Sequence, residues 1–299
     1  MNRAMAAALG IGAAGAACVA WGFAEAHAFT TRRVTVPVLE PGQPSLRVLH
    51  VSDLHLTPSQ RDKIAWAASL ARERPDLVVV TGDNLAHAEA VPAVAEALAG
   101  VLSTPGVFVF GSNDYYAPHL KNPFGYFAGP SRAHREPKRL PTEQLRSVFL
   151  EAGWRDLNNA RTRLSVGGLA VSAVGMDDPH IGRDRMPAPD DDMPGELHLG
   201  VVHAPYSRAL RALTADGAQL ILAGHTHGGQ VCVPGYGALV TNCDLDRRRA
   251  RGLSTWPGEG PGPDDVWLHV SAGAGTSPFA PVRFACRPEA TVLTLTARE

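Results

Sequence analysis

Five short apolar runs in this chain each hand over to a polar tip, and that recurrence constrains the fold more than any other feature. Residues 46–51 lead into Asp53-Leu54-His55, and 77–81 into Gly82-Asp83-Asn84. Residues 107–110 lead into Gly111-Ser112-Asn113-Asp114, 197–202 into His203, and 219–223 into Gly224-His225-Thr226-His227. Short, mainly apolar runs of this length read as strands covered on both faces, the habit of parallel sheets. Open α/β sheets gather their ligands at the carboxyl ends of such strands. The spacing predicts helices over 64–72, 88–102, 142–152 and 207–213, with Pro92 in a first turn and Thr142 as a cap. Residues 161–175 read as two strands around Gly167-Gly168, and runs at 266–270 and 291–295 close the fold. Residues 115–140 break the pattern and read as a cap or insertion, and 177–195 as an acidic, proline-containing loop. The predicted class is α/β.

A chain of 299 residues with 45% hydrophobic and 19% charged residues forms one large domain or two small ones and is not mostly disordered. Its formal charge of -1 supplies no basic field, so no nucleic-acid partner is expected. Cys18, Cys232, Cys243 and Cys286 form no C-x-x-C pair, which excludes a zinc ribbon; they read as small apolar residues of the interior.

Residues 4–24 carry no charge and are just long enough to span a bilayer as a helix. The stretch is rich in Ala and Gly, so Leu9, Ile11, Val19, Trp21 and Phe23 would drive its insertion. The expectation is a single-pass membrane anchor within residues 1–29, placing the protein at the cell membrane, followed by one domain over 32–298. A signal peptide cleaved near Ala26-His27-Ala28, giving a secreted protein, and an ordinary buried helix are the alternatives. Arg3 lies on one flank and Arg32 and Arg33 on the other, so charge does not fix the side of the membrane.

The polar tips carry the chemistry. Imidazole and carboxylate together suit Mn, Fe or Zn better than Ca or Mg alone. Asp53 and His55 are two apart, so in extended chain both side chains lie on one side and can share an ion; His225 and His227 repeat the device. Asp83, shared, would let two ions sit about 3.5–4 Å apart, the spacing of two-metal hydrolysis. Each tip alone is weak, since a turn after Gly-Asp or a satisfied core histidine gives the same letters. The ordered set of five points to metal chemistry.

That order resembles the calcineurin-like metallophosphoesterase superfamily, with VSDLHL, DLVVVTGDN, VVHAP and AGHTHGGQV as specific matches. The stretches GYGALVTNCDL and AGAGTSPFAPVRFACRPEATVLTL are similar to a branch of membrane-anchored or exported phosphoesterases, some of whose relatives cleave the pyrophosphate of UDP-2,3-diacylglucosamine. The resemblance covers about residues 32–298 and implies a four-layer α/β/β/α sandwich with the site at one edge. It implies two divalent ions (Mn, Fe or Zn): Asp53, His55 and His227 hold one, Asp83 bridges, and Asn113, His203 and His225 complete the other. The implied reaction is hydrolysis of a phosphodiester or pyrophosphate by a metal-bridging hydroxide. The implied substrate is an anionic, phosphate-containing small molecule or lipid, a nucleotide sugar among the candidates.

One motif departs from the superfamily, which usually has G-N-H-D where this chain has Gly111-Ser112-Asn113-Asp114. Aligned on its flanks, Ser112 takes the asparagine ligand's place and Asn113 the histidine's. Slipped by one, Asn113 keeps the ligand role and Asp114 takes the histidine's place. The slip is the preferred reading, because an amide oxygen ligates better than a neutral hydroxyl; Asp83, Asn113, Asp114 and His203 then form the catalytic set. Either way the histidine that assists the leaving oxygen is missing, which favours good leaving groups. His119 is a candidate substitute and Asn84 a candidate substrate contact. Lys121, Arg132, Arg135, Lys138 and Arg139 against Glu136 give the cap about +4, beside Tyr115, Tyr116, Phe124, Tyr126 and Phe127. This reads either as a grip on an anionic substrate or as a solvated loop. Arg247, Arg248, Arg249, Arg251 and Asp190-Asp191-Asp192 read as polar turns. The altered third motif supports one alternative of another class: a metal-containing binding protein of the same fold with weak or lost catalysis.

Overall fold

The computed structural model describes residues 3–120, 137–190, 195–258 and 265–298. Helix α1 (Arg3–Glu25) leads into β1 (Thr30–Leu39) and β2 (Leu46–Val51); α2 (Arg61–Ser69), β3 (Leu77–Val80), α3 (Val91–Leu98) and β4 (Gly106–Phe108) follow. The one-turn α4 (Ser112–Tyr115), α5 (Thr142–Glu151) and β5 (Arg155–Asp156) complete the first half. The second half runs through β6 (Ala160–Val166), β7 (Leu169–Met176), β8 (Leu197–Val202), α6 (Ser207–Ala215) and β9 (Leu220–Ala223). Strands β10 (Cys232–Val233), β11 (Gly237–Ala238), β12 (Gly252–Trp256), β13 (Val266–Val270) and β14 (Glu289–Ala297) end it.

The result is a mixed α/β fold with two six-stranded sheets, ordered β1-β14-β2-β3-β4-β5 and β12-β13-β9-β8-β7-β6. Strands β2, β3 and β4 are parallel neighbours in the first, and β7, β8 and β9 in the second. Their side chains alternate between two cores, as the two-residue period of a strand requires. Leu49, Val51, Val78, Val80 and Phe108 pack with Ile64, Val94, Leu98, Leu145 and Phe149 of the helices. The intervening Val48, Leu77, Val79 and Val107 meet Val171, Leu199, Val201 and Leu222 of the other sheet. On that sheet's outer face Val174, Val202 and Ile221 pack against Leu210 and Leu213 of α6. Burial of each such side chain contributes roughly 1.5–3 kcal/mol, which is why both carboxyl ends are held in one register.

Several expectations are corrected. The helix predicted over 64–72 starts three residues earlier and passes into a 3-10 turn, Leu70–Glu73, which Arg74 stops at φ 47 ahead of Pro75. The helix predicted over 88–102 is confined to Val91–Leu98. Thr142 is the first helical residue rather than the cap, and its Oγ1 donates to the Asp114 carbonyl at 2.7 Å. β1 and β12 escape the apolar pattern because one face of each is polar or exposed. Within the expected cap, 121–136 lie outside the described residues. Cys18 is exposed, while Cys232 and Cys286 are buried as expected.

The expected transmembrane anchor is also corrected: among the described residues no helix is long and apolar enough to cross a membrane. The helix forms, but it is built mainly from Ala and Gly, and its last turn is committed to the domain. Glu25 accepts the backbone N–H of Ala285 at 3.0 Å and of Cys286 at 2.6 Å, and the Gly22 carbonyl accepts that of Arg283 at 2.9 Å.

Candidate metal centre

The carboxyl ends of β2 and β3 in one sheet face those of β8 and β9 in the other. The tips there are strained: of ten non-glycine residues with positive φ among the described residues, five are Asp53, His55, Asp83, His225 and His227. For side chains with a Cβ this region is unfavourable, and such strain collects where function over-determines the backbone. The motif glycines answer a different need. A Cβ on Gly111 would stand 2.6 Å from His203 Nε2, and one on Gly224 2.7 Å from Asp53 Oδ2. Both let backbone approach the cluster more closely than any side chain permits.

Asp53, His55, Asp83 and His227 bring one donor atom each to within 4.8 Å of all the others. His55 Nε2 lies 3.2 Å from His227 Nε2 and 3.5 Å from Asp83 Oδ2; His227 Nε2 lies 3.5 Å from Asp53 Oδ1. Donors about 2.1 Å from one ion at tetrahedral angles stand about 3.4 Å apart, so the spacing fits a divalent metal. Three imidazoles carry their second nitrogen against a backbone carbonyl. His203 Nδ1 meets Thr81 O at 2.6 Å, His225 Nε2 meets Asn242 O at 3.2 Å, and His227 Nδ1 meets Gly275 O at 3.1 Å. Donation from His203 Nδ1 to the Thr81 carbonyl sets that ring's tautomer and turns its Nε2 lone pair inward, as in metal-ligating histidines.

His203 and His225 extend the cluster beyond Asp83. His203 Nε2 is 3.6 Å from Asp83 Oδ2 and 3.3 Å from His225 Nδ1. Burial pushes Asp83 up to about 7, aided by the charges of Asp53 and Asp178 and opposed by His203. Burial pulls His203 down, but Asp83, Asp178 and Asp53 outweigh it and hold the imidazole up at about 9. His225 and His227 go the other way: burial drives His225 well below its usual value and His227 down to about 3. Buried carboxylates without a cation thus recruit a proton on His203, the need a bound metal would meet instead.

The Asp114 carboxylate is fully buried and accepts the backbone N–H of Asp83 and Asn84 at 2.8 Å and of Gly111 at 3.0 Å. Asn113 donates its backbone N–H to Asp83 Oδ1 at 2.7 Å, while its Nδ2 donates to the Tyr116 carbonyl at 3.0 Å. Asn84 is buried with its amide nitrogen on Asp114. His119 is half-buried beside the undescribed 121–136. Sequence reasoning overlooked three groups. Arg283, fully buried, donates to the carbonyls of Ala272, Gly273 and Gly275 at 2.7, 3.0 and 2.7 Å and lies 3.3 Å from His227 Nδ1. Asp178 is fully buried after β7, and the His180 ring is 4.5 Å from that of His225. The first sits in the PVRFAC stretch, the others in the loop that reads as acidic and proline-containing.

Comparison with known proteins gives a consistent picture. A family model described as calcineurin-like phosphoesterase matches residues 46–229. The chain is 27% identical over 256 residues to "Phosphodiesterase YaeI" of Escherichia coli (strain K12), covering 83% of this chain and 82% of that one. It is 26% identical over 261 residues to "Uncharacterized protein YpbG" of Bacillus subtilis (strain 168), covering 86% and 84%. It is 28% identical over 238 residues to a "Transmembrane protein with metallophosphoesterase domain" of Bos taurus, covering 73% of this chain and 48% of that one. Among solved structures, a dimetal phosphatase from Danio rerio aligns at 10% identity with a TM-score of 0.43, covering 78% of this chain and 88% of that one.

Proposed function

The chain belongs to the calcineurin-like phosphoesterase family, and we propose that it is a two-metal hydrolase of a phosphodiester or pyrophosphate bond. The observation that carries the reading is the shared carboxylate: Asp83 stands 3.5 Å from His55 on one side and 3.6 Å from His203 on the other. Asp53, His55 and His227 would hold one ion, Asp83 would be shared, and His203 and His225 would serve the other. When bound, the pair of ions supplies a water nucleophile of lowered pKa and neutralises charge on the phosphoryl oxygens. The protein's own part is to fix the donors: the carbonyls of Thr81, Asn242 and Gly275 orient three imidazoles, and Asp114 clamps the turn that presents Asp83. The clamp supports the unslipped register, with Ser112 in the asparagine's place and Asn113 in the histidine's. That register makes Asp114 a positioning residue and withdraws Asn113 from the ligand set. An amide can hydrogen-bond a leaving oxygen but cannot protonate it, so good leaving groups are favoured. The order of the three cores supports the four-layer α/β/β/α arrangement.

The substrate class follows from the family and the donor chemistry: an anionic phosphate-containing small molecule or lipid. The test is hydrolysis of bis-p-nitrophenyl phosphate by chelator-stripped protein with and without manganese. Turnover that needs the metal, with close to two ions bound, supports the reading; two bound ions without turnover on any ester supports the binding-protein alternative. Membrane association, as distinct from crossing, is supported by the exposed Leu9, Ile11, Val19, Trp21 and Phe23 on α1, and flotation with liposomes tests it.

A further inference from the structure

On the side of the centre formed by His203 and His225, the unslipped register leaves Ser112 in the asparagine ligand's place, and a neutral hydroxyl is a poor ligand. The neighbouring strand β7 leads into two carboxylates. Met176, the last residue of β7, pairs with Val202, so Asp177 runs level with His203 and Asp178 lies one step beyond. The two acids differ in how they are used. Asp177 accepts from Tyr115 Oη at 2.9 Å and from Arg183 Nε at 2.8 Å. Asp178 is fully buried; its Oδ1 accepts the His180 N–H at 2.8 Å, and its Oδ2 has no hydrogen-bond partner among the described residues. No ion pair among the described residues reaches Asp178 either, whereas buried charges are as a rule paired or coordinate metals.

The surroundings identify the missing partner. The turn that Asp178 opens, Pro179–Ile181, carries His180, whose ring lies 4.5 Å from that of His225 and whose Nδ1 lies 3.1 Å from Tyr206 Oη. The Asp178 charge is felt at both Asp83 and His203. We propose that Asp178 is a ligand of the second divalent ion, its Oδ2 joining Asp83, His203 and His225. The assignment rests on the two-metal reading above. It supplies an oxygen where the altered third motif has withdrawn the amide, and the His180 N–H holds the carboxylate so that only Oδ2 is left to bind.

The competing role is purely structural, since Oδ1 also caps the turn. Asp178→Asn separates the two, because asparagine caps as well as aspartate but is neutral. Full-length wild type, Asp178→Asn and Asp178→Ala would be stripped with chelator and titrated with Mn²⁺ by calorimetry, with ion content read by elemental analysis after gel filtration. The expected result is two ions in the wild type. Asp178→Asn keeps the first at unchanged affinity and binds the second at least about tenfold more weakly, because even partners outside the ligand set change affinity by about 10–100-fold. The metal-free Asp178→Asn protein melts no lower than metal-free wild type, while its manganese-induced rise in Tm shrinks. Two ions at wild-type affinities in Asp178→Asn overturn the ligand assignment alone. A single ion in the wild type overturns the two-metal reading and this ligand with it. If Asp178→Ala does not fold, the near-isosteric asparagine variant decides.

Discussion

On one side of the centre, Asp53, His55 and His227 come from two tight motifs and are braced from behind by the buried Arg283. On the other side, His203 and His225 come from neighbouring strands and rest on single carbonyls of Thr81 and Asn242. The difference appears in protonation. Burial, His55 and Arg283 keep His227 neutral, down at about 3 despite Asp53, whereas Asp83, Asp178 and Asp53 hold a proton on His203 up to about 9. The first side stands ready for a cation. On the second side the carboxylates favour a protonated His203, and the proposed second ion would bind there in competition with that proton.

Losing the carboxylate common to both sides gives the largest effect. Asp83→Asn is expected to strip both ions and lower turnover by about 10³-fold or more, since removing one preorganised electrostatic group costs about 10²–10³. Elemental analysis of the variant checks it; full retention of either ion would break the shared role. A second experiment separates the sides by pH. Metals bind the deprotonated donors, so a group whose metal-free pKa lies above the working pH must release its proton on loading. His203 stands above neutrality and His227 far below it, with Asp83 at about 7 common to both. Lowering the pH from 9 to 7 should therefore weaken the second ion about 50-fold through His203, which is half protonated at the upper limit and almost wholly protonated at the lower, with no such contribution at the first. Calorimetry in buffers of different ionisation enthalpy reads the released proton. Equal pH slopes for the two ions would erase the contrast.

The same contrast explains what the sequence disclosed. Asp53, His55, Asp83, His203, His225 and His227 are legible because each follows an apolar run, and the run itself fixes where the strand ends. Strands β2, β3, β8 and β9 were readable for the same reason. The brace was not. Arg283 works through carbonyls of residues 272, 273 and 275, and which carbonyls converge on a guanidinium is decided by loop geometry that no periodicity encodes. Asp178 sits in an acidic, proline-containing loop whose composition matches any solvated turn, yet it is fully buried. In the slipped register Asp114 faces the reaction, because a motif gives order and not direction; in the fold its carboxylate is used up on three backbone N–H groups.

Arg283 should matter to one ion and not the other. A lysine presents a compact point charge and cannot span carbonyls arranged for a planar fork. Arg283→Lys is expected to weaken the first ion about 10–100-fold, the range for groups that orient ligands, with little change at the second. Manganese titration resolves the two. Parallel weakening of both would mean that Arg283 supports the fold at large rather than the His227 turn.

The smallest effect tests how far the brace extends. Glu25, from the last turn of α1, accepts the N–H groups of Ala285 and Cys286, and the Cys286 carbonyl in turn accepts from Arg283 Nη1 at 3.3 Å. The path thus runs from the N-terminal helix through residues 283–286 to His227. Glu25→Gln keeps one acceptor and loses the charge; Glu25→Ala leaves both N–H groups without a partner, a loss of about 1–3 kcal/mol in a buried setting. The alanine variant should melt lower and bind the first ion a few-fold more weakly, with the glutamine variant between it and wild type. Removing residues 1–20 should do neither, because Gly22 and Glu25 stay in place, whereas removing 1–29 should match or exceed the alanine variant. Thermal melts with and without manganese compare all four. If deleting 1–29 leaves both Tm and first-ion affinity at wild-type values, the brace ends at Arg283, and α1 plays no part in the asymmetry of the centre.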